Sequence, residues 1–406
     1  MISVGIDISK EKCTVCFLQS TQTEEHSQNK LIAAPYDVQY TKKDTDALIQ
    51  RISSSQGSVK IVMESTGRYH LPLLFKLKQA NLFVSVINPL IIRRYESMDL
   101  HRAKTDSIDA IGIARFGLDS WNHLTDYQIP EELRKELKDL GRQYECHMKC
   151  RIQYFLNLTV ILDQAMPGIT KLIRKGRAGR FSKDHLLDFV SHYKGYDLIQ
   201  KQGEASFVKD YQEWGKKKGY RVTKDKAEKI YTLAQRSILS MSSHTQSGRI
   251  IISEALRALY PINEALDHIL ACMQKLASQL PEYTVVESMK GVGSVLGPLL
   301  MAEVGNIHRF HSSGALIAYA GIDVPPYQSG KYERKHGRIS KHGSTELRKV
   351  GYEIMACLKT IKPTEDAAVY TFMLKKESEG KAKKVAKIAA LNKFLRIYYA
   401  RVKEVS

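Results

Sequence analysis

Short apolar runs alternate with helical spacing over the first third of the chain. Four runs bounded by polar residues predict strands, namely ISVGID, CTVCFL, VKIVME and LFVSVIN. Between the last two runs, YHLPLLFKLKQA has the apolar spacing of an amphipathic helix. Strands that alternate with helices are typical of an α/β domain. We expect such a domain over residues 1–125.

Beyond residue 130 the apolar spacing becomes that of long helices. One series of apolar residues, mostly three or four apart, predicts a helix from about Leu133 to Leu162. A second series has coiled-coil spacing from Leu259 to Leu280, with Pro261 near the expected first turn. The apolar stripe along each helix must pack against another helix. The two helices could pair antiparallel, or the second could pack on another subunit, and we expect some intermolecular contribution.

The segment between these helices and the segment after them differ in composition. Residues 171–248 are rich in Lys, Gly, Ser and Tyr, which indicates either a separate basic insertion or a solvated helical face. We therefore predict a helical, coiled-coil middle domain over 126–286 and a mainly α domain over 287–406. The latter opens with MKGVGSVLGPLLMAEVG, where Gly291 and Gly293 mark a turn like that of a helix-hairpin-helix. This turn either offers backbone N–H groups to a DNA phosphate or is simply a tight turn.

The charge and the cysteines narrow the class of protein. The 62 Lys and Arg residues outnumber the 43 Asp and Glu residues, and the formal charge of +19 favours a polyanionic partner such as DNA or RNA. No run approaches the ~18 apolar residues that span a bilayer, and the N-terminus is typical of a strand. Six cysteines without a regular framework indicate reduced thiols. We expect a cytosolic protein without a membrane partner, in which Cys13 and Cys16 belong to a strand.

Four acidic residues lie at the ends of predicted elements. Asp7 ends the first strand, Glu64 ends VKIVME, and Asp106 and Asp109 share one face of a helix that begins near Thr105. If they converge, their oxygens suit a pair of Mg²⁺ or Mn²⁺ ions in phosphodiester chemistry. The alternative is that the two strands simply end in turns while the helical acids favour the helix dipole.

Four motifs that contain these acids resemble one protein family. GID followed by SK, then MESTGRY, SVINP and KTDSIDA, resemble in that order the N-terminal domain of DEDD-type insertion-sequence transposases. The resemblance implies a RuvC-like, ribonuclease-H-like fold. It also implies that Asp7, Glu64, Asp106 and Asp109 are catalytic metal ligands, and we expect Lys104 beside them to contact nucleic acid.

A serine segment near the C-terminus carries the second resemblance. In GIDVPPYQSGKYERKHGRISKHGSTELRKVGYEIM, the residues alone indicate either a solvated Ser-Gly turn or a hydroxyl offered to a phosphate among cations. The block resembles the C-terminal transposase domain of the insertion-sequence and Piv invertase group. That resemblance implies that Ser329 attacks DNA and forms a phosphoserine, with another subunit completing the site, whereas Ser340 positions phosphate. The expected phosphate-binding residues are Lys331, Arg334, Lys335, Arg338, Lys341 and Arg348.

Together these observations predict a transposase that recombines its own element at specific sites. The resemblance implies donor and target DNA as substrates, a structured bridge RNA as guide, and a dimer or tetramer in the bacterial cytosol, associated with the nucleoid. One alternative is a RuvC-like, metal-dependent nuclease in which Ser329 is dispensable. Another is a non-catalytic nucleic-acid-binding protein whose acids are structural.

Overall fold

The chain forms two compact units, Met1–Ile129 and Pro130–Ser406. The computed structural model describes residues 1–22, 27–65, 69–97, 105–127, 131–173, 180–324, 328–329, 332–333 and 337–406. Within these ranges, none of the helices combines the length and the apolar composition needed to cross a lipid bilayer. The first unit ends close to the boundary predicted at residue 125. The further division of the second unit into a middle and a C-terminal domain stays a prediction.

The first unit is an α/β structure. Its elements are β1 (Ile2–Ile8), β2 (Lys12–Gln22), β3 (Ser27–Leu31), β4 (Tyr36–Gln39), α1 (Lys42–Ser53), β5 (Val59–Glu64), α2 (Leu71–Gln79), β6 (Val84–Ile87), α3 (Pro89–Glu96) and α4 (Asp106–Asp119). The four predicted strands correspond to β1, β2, β5 and β6, and the predicted helix corresponds to α2. The apolar patterning of this region was therefore sufficient to locate them.

The sheet has the strand order of a ribonuclease-H-like fold. Strand β2 pairs antiparallel with β1, and both β3 and β4 pair antiparallel with β2. On the other side of β1, β5 and then β6 pair parallel, which gives the order β3-β2-β1-β5-β6. Strand β1 is buried along almost its whole length, as expected of a central strand. The predicted RuvC-like fold class is confirmed for this unit.

Both faces of this sheet are covered. Cys13 belongs to a core that includes Leu48 of α1 and Leu73 of α2, whereas Cys16 packs with Ala110 of α4. The two cysteines lie three positions apart on one strand, so their side chains project from opposite faces. A strand role for the CxxC pair is confirmed, because thiols on opposite faces cannot share a metal ion or form a disulfide.

The second unit is almost entirely helical. Its elements are α5 (Glu132–Ala165), α6 (Ile169–Leu172), α7 (His185–Tyr193), α8 (Tyr196–Gln200), α9 (Glu204–Lys218), α10 (Lys224–Arg236), α11 (Gln246–Ala277), α12 (Tyr283–Ser288), α13 (Gly293–Val304), α14 (Ser313–Ala320), β7 (Gln328–Ser329), β8 (Tyr332–Glu333), α15 (Thr345–Ile361), α16 (Ala368–Ser378) and α17 (Lys383–Val405). The mainly α character predicted for residues beyond 126 is confirmed.

The long helices α5 and α11 pack against each other within the chain. Arg151 of α5 donates from Nε to the side-chain oxygen of Asn263 on α11 at 2.7 Å, and both residues are buried. Pro261 lies inside α11, so the prediction that it marks the first turn was wrong. Apolar spacing continues N-terminal to it, through Ile252, and a proline in a long helix is tolerated when the flanking turns are held by packing.

The helix pair joins two hydrophobic cores. Near one end, Phe155 and Leu162 of α5 pack with residues of α7 to α10. Toward the other end, Leu137 of α5 and Met273 of α11 pack with α12 to α17. The described part of the basic segment between the long helices is therefore a folded helical insertion that shares a core with α5 and α11, rather than a solvated helical face. Its aromatic centre includes Phe189, whose ring meets that of Tyr193 at a tilt and that of Tyr211 edge to face.

Candidate active site

The first acidic pair is placed by the register of the sheet. Ile6 of β1 pairs with Met63 of β5, so Asp7 and Glu64, the next residues, lie side by side at the carboxyl ends of two parallel strands. Functional groups of open α/β sheets commonly lie at this edge. Asp7 is half-buried, because β1 is a central strand.

Two glycines bring the second acidic pair to the same edge. A Cβ on Gly5 would lie 2.3 Å from the carbonyl oxygen of Ala110, and one on Gly117 would lie 2.1 Å from Oγ of Ser3. Helix α4 therefore crosses β1 in direct backbone contact, which any larger side chain would prevent. The side chain of Thr105 caps the helix by accepting from the N–H of Ile108. Asp106 and Asp109 occupy the first turn, as predicted, although the sequence motifs alone did not identify the role of these glycines.

The electrostatics of Asp7 record this convergence. Burial, and after it the negative charges of Asp109, Asp106 and Glu64, together raise the pKa of Asp7 to about 6. A carboxyl group that feels three others in this way loses part of its preference for the ionised form. The four predicted acids thus share one electrostatic neighbourhood.

The donor atoms of this neighbourhood suit a hard divalent cation. All four acids offer carboxylate oxygens, the ligands preferred by Mg²⁺ and Mn²⁺, and a cation would relieve their mutual repulsion. Among the described residues, however, no group of three or more His, Cys, Asp or Glu side chains is gathered closely enough to hold a metal ion. The acids are therefore grouped by the backbone but are not drawn together at coordination distance.

A lysine and a fifth acid beside this group were missed by the sequence interpretation. Nζ of Lys12 lies 2.6 Å from Oδ2 of Asp37 and 3.9 Å from Oδ2 of Asp106. Thr14 is the residue of β2 that pairs with Asp7 of β1, and its hydroxyl also donates to Asp37. The hydrogen bond from Lys12 has the largest effect, and together with that from Thr14 it holds the pKa of Asp37 below its usual range. Lys12 lies two residues after the motif GIDISK, but its orientation depends on the pairing of β2 with β4.

The predicted serine lies in the second unit, in a loop closed by backbone hydrogen bonds. Ser340 N–H donates to the carbonyl of Asp323, and Lys341 N–H donates to that of Gly321, at 2.9 and 3.0 Å. Within the loop, Ser329 of β7 pairs with Tyr332 of β8 in a short hairpin. The side chain of Ser329 lies outside the described part of the chain. So do Lys104, Lys331, Arg334 and Lys335.

The remaining predicted residues of this segment have different environments. Arg338 and Lys341 are exposed, as a phosphate-binding role requires. Arg348 instead donates from Nη1 to the carbonyl of Ala320 at 2.9 Å, which fixes the base of the loop from within. The hydroxyl of Ser340 donates to the carboxylate of Asp323, so this serine also ties the loop together.

A buried glutamate anchors the same loop to the helices. Oε2 of Glu303 on α13 accepts from the hydroxyl of Ser344 at 3.0 Å and from Nη2 of Arg142 at 3.1 Å. Ser344 in turn caps α15 by accepting from the N–H of Leu347. Burial raises the pKa of Glu303 although Arg142 opposes the shift. Sequence reasoning missed this residue, since a single acid inside an apolar helix gives no local signal.

The glycine turn before α13 is packed inward at one position and open at the other. A Cβ on Gly291 would lie 2.8 Å from Cγ of Leu358 and 3.0 Å from the carbonyl oxygen of Ile354, whereas one on Gly293 would meet nothing within 4 Å. Both glycines have positive φ, of 88° and 60°. The packing supports a structural role for Gly291, and contact of this turn with DNA stays a prediction.

We expect Gly291→Ala to destabilise the protein more than Gly293→Ala. Both substitutions place a side chain at positive φ, which costs about 1 kcal/mol, and only Gly291→Ala adds an overlap with α15 that costs about 1–3 kcal/mol more. Urea titration followed by the helical circular dichroism signal measures the difference. Equal losses would show that packing against Leu358 does not set the requirement for glycine.

Two family models match this chain in the regions just described. One, described as a transposase of the DEDD IS110 type, matches residues 4–167. The other, described as a transposase of the IS116/IS110/IS902 family, matches residues 283–370. The two models match in the order of the two candidate sites and together span most of the chain. The chain belongs to the IS110 family of transposases. The protein is therefore an enzyme that cuts and rejoins DNA.

Relatives of the transposase extend along almost its whole length. The pilin gene-inverting protein of Moraxella lacunata is 22% identical over 409 residues, which cover 99% of this chain and 95% of that protein. An uncharacterised insertion element IS110 protein of Streptomyces coelicolor is 20% identical over 362 residues, which cover 88% and 85% of the two chains. The structure of Thermus thermophilus RuvC matches 32% of the transposase and all of its own chain, with a TM-score of 0.26 and 11% identity.

Proposed function

We propose that this transposase recombines the DNA of its own element through Ser329, assisted by a divalent cation held by Asp7, Glu64, Asp106 and Asp109. The observation that carries the proposal is the convergence of the four acids on one sheet edge, where burial first, and then the charges of Asp109, Asp106 and Glu64, raise the pKa of Asp7 to about 6. A stable fold gains nothing from such crowding, whereas a cation site requires it.

The serine loop supports the second half of the proposal. Its base is fixed by Arg348, Ser340 and Ser344 through contacts to the chain itself, so the hairpin that carries Ser329 rises from a rigid frame. The exposed Arg338 and Lys341 supply positive charge for a phosphate beside it. A nucleophile held by a rigid frame loses little entropy when it attacks.

In the proposed reaction, one phosphorus–oxygen bond replaces another at each step. The oxygen of Ser329 attacks a DNA phosphorus, the bond to the deoxyribose oxygen breaks, and that oxygen leaves as a hydroxyl group. A deoxyribose hydroxyl of the recombining strand then attacks the phosphoserine and restores the serine. When bound, a divalent cation stabilises the negative charge that develops on the phosphate oxygens. Because bond energy is conserved, no nucleotide cofactor is consumed.

A structured RNA is the proposed source of target choice. The formal charge of +19 suits binding of both RNA and DNA, and pairing between an RNA and donor or target DNA would place sequence recognition outside the protein. The proposed assembly is a dimer or tetramer, in which the acids of one subunit act with Ser329 of another.

A strand-transfer assay tests this function. Purified transposase is incubated with RNA transcribed from the element's flanks, end-labelled element-junction DNA and target DNA, with Mg²⁺, Mn²⁺ or EDTA. We expect recombinant junctions only with both the cation and the RNA. Cleaved but unjoined DNA in the presence of Mg²⁺ would support the metal-dependent nuclease instead, and salt-sensitive binding without any product would support the non-catalytic protein.

A further inference from the structure

A groove in the second unit lies outside both family models. It encloses about 610 Å³ between the end of α7 and the N-terminal half of α11. The family models match residues 4–167 and 283–370, so they assign nothing to this part of the insertion. It is also separate in sequence from the acidic site and from the serine loop.

The floor of the groove is apolar, although it is open to solvent. Leu256 and Tyr260 of α11 line it together with Pro261, and Ile250 is 52% exposed beside them. The hydroxyl of Tyr260 donates to a carboxylate oxygen of Asp188 at 3.2 Å, which holds the ring in place. A fixed aromatic ring on an apolar floor is a surface on which a flat, unpaired base can lie.

The rim of the groove is positively charged. Lys194, Arg249 and Arg257 line it, and all three are exposed. Arg257 lies 3.5 Å from the exposed carboxylate of Glu254, a weak surface pair, whereas in the described part of the chain neither Lys194 nor Arg249 forms an ion pair. Arg249 and Arg257 are two turns apart on one helix face, about 12 Å along the axis. That separation matches the length of an extended dinucleotide.

We propose that this groove binds a short single-stranded stretch of DNA or RNA. Bases would lie on the floor formed by Leu256 and Tyr260, while the phosphates before and after them contact Arg249, Arg257 and Lys194. A duplex hides its bases and would leave the apolar floor unused. A second copy of this chain is disfavoured, because it carries the same strong positive charge as the rim.

The test removes the two arginines from the rim and leaves the floor intact. Fluorescein-labelled hexathymidylate, hexauridylate and a hexamer duplex are titrated with the full-length transposase and with its Arg249→Gln, Arg257→Gln double variant, at several salt concentrations. We expect the variant to bind the single strands about tenfold more weakly. The slope of log affinity against log salt should fall by about 0.7 for each lost phosphate contact. The two single strands separate a DNA-binding groove from an RNA-binding one.

Two further variants localise the effect. Lys216→Gln with Lys217→Gln removes the same charge from exposed positions of α9 in the same insertion and should change affinity less than twofold. Ile250→Asp places an acid on the exposed edge of the floor and should weaken single-strand binding by about tenfold. Circular dichroism checks that each variant is folded.

Three outcomes would overturn the proposal. Equal losses in the α9 variant and in the arginine variant would assign the binding to net charge alone. A loss of duplex binding as large as that of single strands would assign the rim to double-stranded DNA. Unchanged hexamer binding together with a changed sedimentation coefficient would make the groove a contact between copies. The inference does not depend on Ser329, since Ser329→Ala should bind the hexamers like the wild type.

Discussion

Replacing Ser329 with alanine should abolish the covalent protein–DNA adduct and leave the affinity for DNA within about twofold. The hydroxyl oxygen is the atom that the proposed reaction joins to phosphorus, so its loss removes the intermediate rather than slowing it. Affinity depends on many dispersed cations, and one hydroxyl contributes little to such an interface. Denaturing electrophoresis of end-labelled junction DNA with Mg²⁺ and RNA measures the adduct, and gel shift measures binding.

Ser340→Ala is the matched control for this experiment. This serine lies in the same loop, but its hydroxyl donates to Asp323 and holds the loop closed. We expect it to form the adduct at a reduced rate, because a looser base lets the hairpin of Ser329 move. An adduct that persists in Ser329→Ala and disappears in Ser340→Ala would identify Ser340 as the nucleophile. Cleavage without an adduct in any variant would remove the serine from the chemistry altogether.

Replacing Asp7 with asparagine should abolish recombination and at the same time stabilise the cation-free protein at pH 8. Folding raises the pKa of Asp7 from 3.8 to about 6, so between these values the folded state binds more protons than the unfolded state. The stability that Asp7 contributes is therefore greatest below pH 3.8, decreases as the pH rises to about 6, and stays low above it. Asparagine is uncharged at every pH, so the Asp7→Asn variant does not lose this stability as the pH rises.

Thermal melting in EDTA across pH 4–8 measures the effect. The wild type should lose stability between pH 4 and 6 relative to Asp7→Asn, and at pH 8 the variant should melt a few degrees higher. Adding Mg²⁺ should raise the melting temperature of the wild type but not that of the variant, because a cation that binds only the folded state stabilises it.

Asp37→Asn provides a control of opposite sign. Its carboxylate accepts from Lys12 and Thr14, which lower its pKa, so its removal should lower stability at pH 8. If Asp7→Asn melted below the wild type in EDTA at pH 8, or if Mg²⁺ stabilised both proteins equally, Asp7 would be an ordinary strand residue and the cation site would be misplaced.

The sequence was most informative where structure follows from local spacing. Strands β1, β2, β5 and β6 follow from short apolar runs, and Thr105 caps α4 close to where the sequence predicts that helix to begin. Positions decided by distant neighbours were not predictable in this way. The direct contact of Gly5 with α4, the inward orientation of Arg348 and the burial of Glu303 each depend on residues far away in sequence.

Pro261 shows how packing against residues distant in sequence can make a prediction from local sequence wrong. A proline favours the first turn of a helix when only local sequence is considered. In the folded chain, Leu256 and Leu259 before it and Asn263 after it are all buried against neighbouring helices, so packing continues the helix through the proline. The sequence correctly placed buried apolar residues of α11 after residue 259. It did not predict that the helix and its buried residues also extend N-terminally from there.

The insertion leaves and re-enters the helix pair at nearly one point. The N–H groups of Ser240 and Met241, just before α11, both donate to the carbonyl of Gln164 at the end of α5. Because its two ends lie so close together, the insertion is suited to replacement by another module during evolution, at this end of the pair formed by α5 and α11. The exchange has a constraint, because Phe155 and Leu162 belong to the core of the insertion. A shorter relative must make these positions polar, and an engineered replacement module must bring its own apolar surface to cover them.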